Sequence, residues 1–324
     1  MNPLVSISVP VYNVAPYIER CVRSLMEQDY DNIEYVFVND GSTDDSVGLL
    51  EQVVAEYPHR QSAVHIYHND KNHGLAYTRR KSIENATGDY ITCVDSDDWI
   101  DKNYVSCLVK EALRSEAEMV IALFIENWSD QRSIVHDFDS LRTSLPANYL
   151  VNHCTALWGK LYLRKWLLAH PMYAPEGLDY GEDRIVMLQM EHYVHTISTI
   201  SDSAYHYVHQ SQSITSVKTD KHFDCLIRYW QEAERLMRGW GVWEQNMEDC
   251  YRQQVEDKIA LMLQCASNQT RRKYADLYRE NEIANLKGLS PGFQLMGILV
   301  HYHLWPLISL HQVYIDWLIK RKNK

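Results

Sequence analysis

The run Tyr90-Ile91-Thr92-Cys93-Val94, followed at once by Asp95-Ser96-Asp97-Asp98, sets an apolar strand against a row of carboxylates. A strand of that composition belongs inside a sheet, and the acidic residues at its end belong at the sheet's edge. The same arrangement repeats upstream. Leu4 to Val9 reads as a strand and Pro16 to Gln28 as a helix with Ile18, Cys21, Val22 and Leu25 on one face. Ile33 to Val38 is a second strand, Thr43 to Tyr57 a helix, Ala63 to Tyr67 a third strand, and Leu75 to Ala86 a helix. Alternation of this kind predicts an α/β fold, a mainly parallel sheet with helices on both faces. Ligands of such sheets bind beyond the carboxyl ends of the strands.

Three strand ends are expected on that edge: Pro10-Val11-Tyr12-Asn13, Asn39-Asp40-Gly41-Ser42-Thr43-Asp44 and Asp95-Ser96-Asp97-Asp98. Each alone is ordinary capping and turn chemistry. Together they place carboxylates where their mutual repulsion needs a cation or hydrogen-bond donors. Asp95 and Asp97 would offer hard oxygen ligands to Mg²⁺ or Mn²⁺, an ion that commonly bridges to a diphosphate.

The chain of 324 residues carries 32 basic and 43 acidic residues, a formal charge of −11, which argues against broad nucleic-acid binding. The seven cysteines (Cys21, Cys93, Cys107, Cys154, Cys225, Cys250, Cys265) are scattered rather than paired, as buried free thiols in a reducing compartment would be. Met1 leads straight into the first strand without a signal-peptide pattern, so a cytoplasmic location is expected. No His-x-Glu-x-His cluster suggests a zinc hydrolase, and no G-x-G-x-x-G follows the first strand as in a dehydrogenase.

Beyond Asp98 a helix is expected at Asn103 to Ser115 and a strand at Met119 to Phe124. The polar stretch from Glu126 to Asn148 reads as a hairpin or an insertion on the acceptor side. From Lys221 the pattern is helical: His222 to Arg238, Trp243 to Ser267, Arg271 to Leu286, and one or two helices after Pro291. The expected division is an α/β domain over 1–215 and a helical module over 216–324. Between Phe293 and Ile319 large apolar residues dominate, broken by Pro306, Asp316 and several histidines, and Lys320, Arg321, Lys322 and Lys324 follow. Short amphipathic helices lying on an anionic membrane face account for this pattern, and so does a helix packed in a domain or homodimer interface.

The strand-end strings, with Asn72-His73-Gly74-Leu75 and Gly88-Asp89-Tyr90 between them, resemble in order and spacing the signatures of family 2 glycosyltransferases of GT-A fold over residues 4–105. Trp158-Gly159-Lys160-Leu161-Tyr162 and Gly181-Glu182-Asp183 resemble the later part of bacterial members that build cell-surface polysaccharides. The resemblance implies an inverting, metal-dependent hexosyl- or N-acetylhexosaminyl-transferase. It would bind a UDP-sugar through about residues 1–105 and a glycan or lipid-linked acceptor through about residues 106–215. It assigns Asp40 to the uracil N3–H, and Tyr12 with the backbone of Pro10 and Val11 to the base wall. Asn13, Asn72, Gly74 and Ser96 join that donor site, Arg79 takes the nucleotide end, and Asp95 the ribose or a metal-bound water. Asp97 would ligate the Mn²⁺ or Mg²⁺. His209, close to Ser213-Ile214-Thr215, would face the diphosphate and join the metal set. Asp183 would be the general base, with Glu182 capping the helix or holding the acceptor. For Arg79 the plain alternative is a solvated helix cation, and for Glu182 and Asp183 it is helix capping. Two other functions stay open: a catalytically degenerate scaffold of a membrane assembly, and a phosphatase of the haloacid-dehalogenase type, whose nucleophile loop also carries Asp-x-Asp.

Overall fold

The computed structural model describes residues 2–129, 131–136, 156–170, 173–209, 218–265 and 267–308. The chain forms two compact units, Met1–Gln210 and Ser211–Lys324.

In the first unit, β1 (Val5–Val11), α1 (Ile18–Met26), β2 (Ile33–Asn39), α2 (Ser46–Ala55), β3 (Val64–His68), α3 (Leu75–Asn85) and β4 (Tyr90–Cys93) follow the predicted alternation. Next come β5 (Trp99–Ile100), α4 (Tyr104–Ser115), β6 (Met119–Asn127), β7 (Ser133–His136), β8 (Lys160–Leu163), α5 (Arg164–Ala169), α6 (Glu182–Tyr193) and β9 (Ile197–Val208). One sheet runs β3-β2-β1-β4-β8-β6-β9-β5, with β7 paired to β6. Its first half is parallel: Val5 lies beside Ile33 of β2 and Tyr90 of β4. In its second half β8 returns antiparallel between β4 and β6. The mixture arises there because β8 enters from the long segment after β7 rather than from a β-α crossover.

Every residue of β1 and β2 is buried, as continuous β-branched runs covered on both faces should be. Ile18, Cys21, Val22 and Leu25 of α1 pack into the same core as Ile7, Val9, Phe37, Leu50 and Val53. Among the polar groups buried beside it is Glu34. The Glu34 carboxylate accepts from the Ser6 hydroxyl, from the Thr87 amide and hydroxyl, and from the Gly88 amide. A Cβ at Gly88 would fall 2.6 Å from Ser6 Oγ and 2.8 Å from the Leu4 carbonyl oxygen, which is why a glycine opens the Gly88-Asp89-Tyr90 string. Asp89 then accepts the Leu4 amide at 3.0 Å and anchors the start of β4 beside β1.

Part of the polar stretch after β6 is a hairpin, with Phe124 opposite His136 and Asn127 opposite Ser133. Residues 137–155 fall outside the described residues. Cys21, Cys93, Cys225, Cys250 and Cys265 are buried free thiols and Cys107 is half-buried, while Cys154 falls outside the described residues.

The second unit is helical: α7 (Asp220–Gly239), α8 (Trp243–Gln264), α9 (Asn268–Lys273), α10 (Arg279–Asn285) and α11 (Pro291–His301). Arg271 to Leu286, expected as one helix, is two, separated by turns that end in Tyr278 at φ 54°. The interruption turns the Ala275 carbonyl to the fully buried Lys258 ammonium, 2.5 Å away, which also meets Glu282. His301 of α11 reaches the other oxygen of Glu282 at 2.6 Å. A buried ammonium needs oxygen acceptors, and an unbroken helix would keep that carbonyl for itself. Val255, Ile259, Leu286, Leu289 and Met296 form the apolar contact among α8, α10 and α11. Among the described residues no helix is long and apolar enough to cross a membrane.

Candidate active site

Because β1, β2 and β4 are parallel neighbours, their carboxyl ends share one edge, and the three predicted loops meet there. The first two are stitched together by short polar side chains. Asn13, at φ 50°, accepts the Thr43 amide on Oδ1 at 2.8 Å, and its own amide donates to Ser42 Oγ at 3.2 Å. Asp44 accepts the Ala15 amide at 2.9 Å and also meets Ser46. Burial pushes the Asp44 carboxyl up, but the Ser46 hydroxyl and the amides of Ala15 and Ser46 outweigh it and hold the group below its ordinary range.

Gly41, at φ 69°, lies against the Lys71–Asn72 backbone. A Cβ there would stand 2.8 Å from the Lys71 carbonyl carbon and 2.9 Å from the Asn72 amide nitrogen. Gly41→Ala should therefore cost roughly 1–3 kcal/mol, since it adds both a left-handed penalty and a backbone clash. A urea midpoint equal to that of the unsubstituted chain would show that the two loops do not meet in this way.

Asp40 is buried, and three donors from the loop before α3 reach its carboxylate. Oδ1 accepts Asn69 Nδ2 at 2.7 Å and the His73 amide at 2.9 Å, and Oδ2 accepts the Gly74 amide at 2.9 Å. One of the four carboxylate lone pairs is left for a further donor. Gly74, at φ 92°, is the N-cap of α3, and a side chain there would collide with Asp179. Asn72 is exposed at the tip of the same loop. Tyr12 is exposed on the open edge, whereas Pro10 and Val11 are buried in the sheet and Val11 spends its carbonyl on the Asp40 amide at 2.9 Å. Only Tyr12 of these three therefore presents a side chain outward.

Asp40 thus fixes where α3 begins, and α3 carries Arg79 to the centre of the site. The sequence placed Arg79 at the nucleotide end or in solvent. It is not in solvent, being 4% exposed with its fork occupied by three carboxylates. Nη2 donates to both oxygens of Asp95, at 2.8 and 3.0 Å, and Nη1 donates to Glu182 Oε1 at 2.9 Å and to Asp183 Oδ1. The planar, always-charged guanidinium suits such a shared position. Glu182 and Asp183 begin α6 after Gly181 at φ 86°, so they occupy the turn where helix capping was the alternative, and they reach Arg79 from it.

The electrostatics of this cluster are uneven. Burial and the neighbouring Asp183 push the Glu182 carboxyl well above its ordinary range. Burial, with the charge of Asp95, raises Asp183 as well, and Arg79 and Lys160 offset only part of it. The Asp183 side chain keeps 22% of its surface exposed against 10% for Glu182, so Asp183 is the one that incoming groups can reach. Asp97 is pushed up to about 6 by burial and by the charge of Asp95. A cation beside Asp97 would offset both effects, and the hard-donor chemistry of the carboxylate fits Mg²⁺ or Mn²⁺. With both Asp95 oxygens on Arg79, Asp97 is the neighbouring carboxylate that could hold such an ion. Ser96 is buried between them.

His209 does not join that set. Its Nε2 stands 3.0 Å from Glu126 and its ring stacks on Trp128 at 4.2 Å, because it leaves β9 alongside the end of β6. Among the described residues no three His, Cys, Asp or Glu side chains converge as a metal-binding group. Two contributors escaped the sequence reading. Lys160, 1% exposed and close enough to pull Asp183 down, donates to the Trp158 carbonyl at 3.4 Å and to that of Ala156. Tyr205 contacts the Asp95–Asp98 turn. The signal for Lys160 was present in the Trp158-Gly159-Lys160 string. Tyr205 had none, since an aromatic in a β-strand reads as core.

Residues 6–164 match the sequence profile of glycosyl transferase family 2. EpsH of Bacillus subtilis, whose name carries only a provisional glycosyltransferase assignment, is 29% identical over 269 residues, 80% of this chain and 75% of EpsH. Glycosyltransferase GlyA of Streptococcus pneumoniae is 30% identical over 270 residues, and the match spans 79% of this chain but 38% of GlyA. Among solved structures, S. aureus TarS residues 1–349 in complex with UDP-GlcNAc superposes with a TM-score of 0.62 at 17% identity, over 93% of this chain and 92% of that one. At that identity the likeness speaks to the fold.

Proposed function

Since the chain belongs to glycosyl transferase family 2 and shares the GT-A fold of TarS, we propose that it transfers a hexosyl or N-acetylhexosaminyl group from a UDP-sugar, with inversion. The acceptor is a hydroxyl of a glycan or lipid-linked saccharide in bacterial surface-polysaccharide synthesis. The carrying observation is the Arg79 fork, which joins Asp95 of the strand-end loop to Glu182 and Asp183 of α6 at one point.

Each residue then has a task. Tyr12 walls the base, and the lone pair left on Asp40 takes the uracil N3–H. Asp95, oriented by Arg79, receives a ribose hydroxyl, and Asp97 would hold the divalent cation. That cation, when bound, supplies the positive charge on which a diphosphate leaves. Asp183, the more open of the two carboxylates at the start of α6, accepts the proton of the acceptor hydroxyl as its oxygen attacks the anomeric carbon. The new glycosidic bond forms on the face opposite the departing UDP, whose oxygen takes the bonding electrons, and the anomeric configuration inverts. Glu182, beside Asp183 on the same turn, holds the acceptor by a hydrogen bond. A screen of nucleotide sugars for metal-dependent hydrolysis without acceptor tests this. Turnover of a UDP-sugar supports the reading, and turnover of none, with UDP also failing to bind, removes it.

The helical unit supplies a membrane contact in this proposal, placing the enzyme peripherally on the inner face of the cell membrane. Met296 and Val300 of α11 face its core while Leu295, Ile298, Tyr302, Leu304 and Leu307 are exposed. No Asp or Glu lies between Glu282 and Asp316 in a chain that holds 43 of them, and the terminal Lys320, Arg321, Lys322 and Lys324 lie outside the described residues. Each such basic residue near an anionic leaflet contributes about 1 kcal/mol. The full chain should float with anionic liposomes at low salt, and Leu295→Ser, Ile298→Ser, Leu304→Ser and Leu307→Ser together should abolish flotation. Undiminished flotation of that variant, or a monomer-dimer shift in its place, would assign the face to another occupant such as a second copy.

A further inference from the structure

The Asp95–Asp98 turn is pinned from a strand more than a hundred residues downstream. The Tyr205 hydroxyl of β9 donates to Asp98 Oδ2 at 2.6 Å and accepts the Asp95 amide at 3.1 Å. The other oxygen of Asp98 accepts the Val208 amide at 2.8 Å, and the Asp98 amide closes the turn on the Asp95 carbonyl at 3.0 Å. Tyr205 and Asp98 have no exposed surface. Tyr205 cannot swing away, since its ring stacks on Trp158 at 4.5 Å and 8° and meets Tyr104 edge-on at 6.4 Å. One residue further along, His206 lies 3.0 Å from Asp101 and stacks on Trp99 at 3.3 Å, so β9 grips both ends of the segment that carries Asp97.

We propose that Tyr205 is a positioning residue for the donor site, its hydroxyl holding the Asp95–Asp98 turn so that Asp97 presents its carboxylate to the divalent cation and Asp95 to Arg79. A hydroxyl that serves as acceptor at one end of a four-residue turn and donor at the other sets the turn's shape, which packing of the ring alone does not do. Groups that orient a ligand without touching the metal commonly account for 10–100-fold in metal affinity. The proposal rests on the metal reading given above.

Its test is a Mn²⁺ titration of the full chain in the presence of UDP, followed by the EPR signal of free Mn²⁺, so that no turnover is needed. Tyr205→Phe keeps the ring and its stacking and removes only the hydroxyl. Its Mn²⁺ dissociation constant should rise roughly 10–100-fold. Asp98→Asn, which still accepts from Tyr205, should show a smaller rise, and the double variant should be no worse than Tyr205→Phe alone, because both act through one turn. If Tyr205→Phe does not fold, the loss expected of Asp98→Asn carries the test. Mn²⁺ affinity within twofold of the unsubstituted chain in Tyr205→Phe, whatever its thermal stability, would reduce the residue to packing and overturn the proposal, as would fully additive losses. Failure of the unsubstituted chain to bind Mn²⁺ with UDP would instead overturn the metal reading, and this proposal with it.

Discussion

Asp97→Asn lowers sugar transfer by roughly 10²–10³-fold, the scale of losing about 3–4 kcal/mol of charge stabilisation at a leaving diphosphate. The substitution conserves size and removes the charge. Asp97 stands at the open end of the turn that Arg20 contacts through the Asp97 carbonyl at 3.0 Å, a bond that involves no Asp97 side-chain atom. Thermal unfolding serves as the control for the fold. The burial and the Asp95 charge that raise Asp97 act only on its ionised form, so the variant also sheds electrostatic strain. It should be at least as stable as the parent while being far less active. Activity within tenfold of the parent would place the cation elsewhere or make it dispensable.

Asp183→Asn reduces transfer by roughly 10²–10⁴-fold, the range for removing a positioned general base. UDP-sugar affinity should stay within about threefold. The reason is the geometry of Arg79: Asn keeps an oxygen for Nη1, and the Nη2 bonds to Asp95 do not involve residue 183 at all. Calorimetry on the variant and initial-rate transfer must therefore diverge. Equal loss of affinity and of rate would put Asp183 in the donor site and leave the base to another group. Glu182, the nearest alternative, is the more buried of the two, and that burial with the neighbouring Asp183 raises its carboxyl.

The first half of the sheet was legible because its strands are short runs rich in β-branched and aromatic residues that alternate with helical patterns, and three of them end in polar loops. The loop residues were legible as well: Asn13, Asp40, Gly41 and Asp44 make their contacts within about thirty residues along the sequence. The partners of Arg79 were not, since Glu182 and Asp183 are 103 and 104 residues away and come together with it only through the sheet order. An arginine on an amphipathic helix carries no mark that separates a solvated cation from a buried hub. The Glu126 partner of His209 was not legible either, since it depends on the pairing of β9 with β6. The break within Arg271 to Leu286 had no glycine or proline to announce it, and its cause is a buried lysine on another helix.

The account stands most directly on nucleotide binding at the strand-end site. Calorimetric titration of the full chain with UDP, GDP and CDP, each with and without Mn²⁺, measures it. Tight binding of UDP over the other two, strengthened by Mn²⁺ and losing that strengthening in Asp97→Asn, is the predicted result. Binding of UDP that is absent, no stronger than that of CDP or GDP, or indifferent to the metal would contradict it.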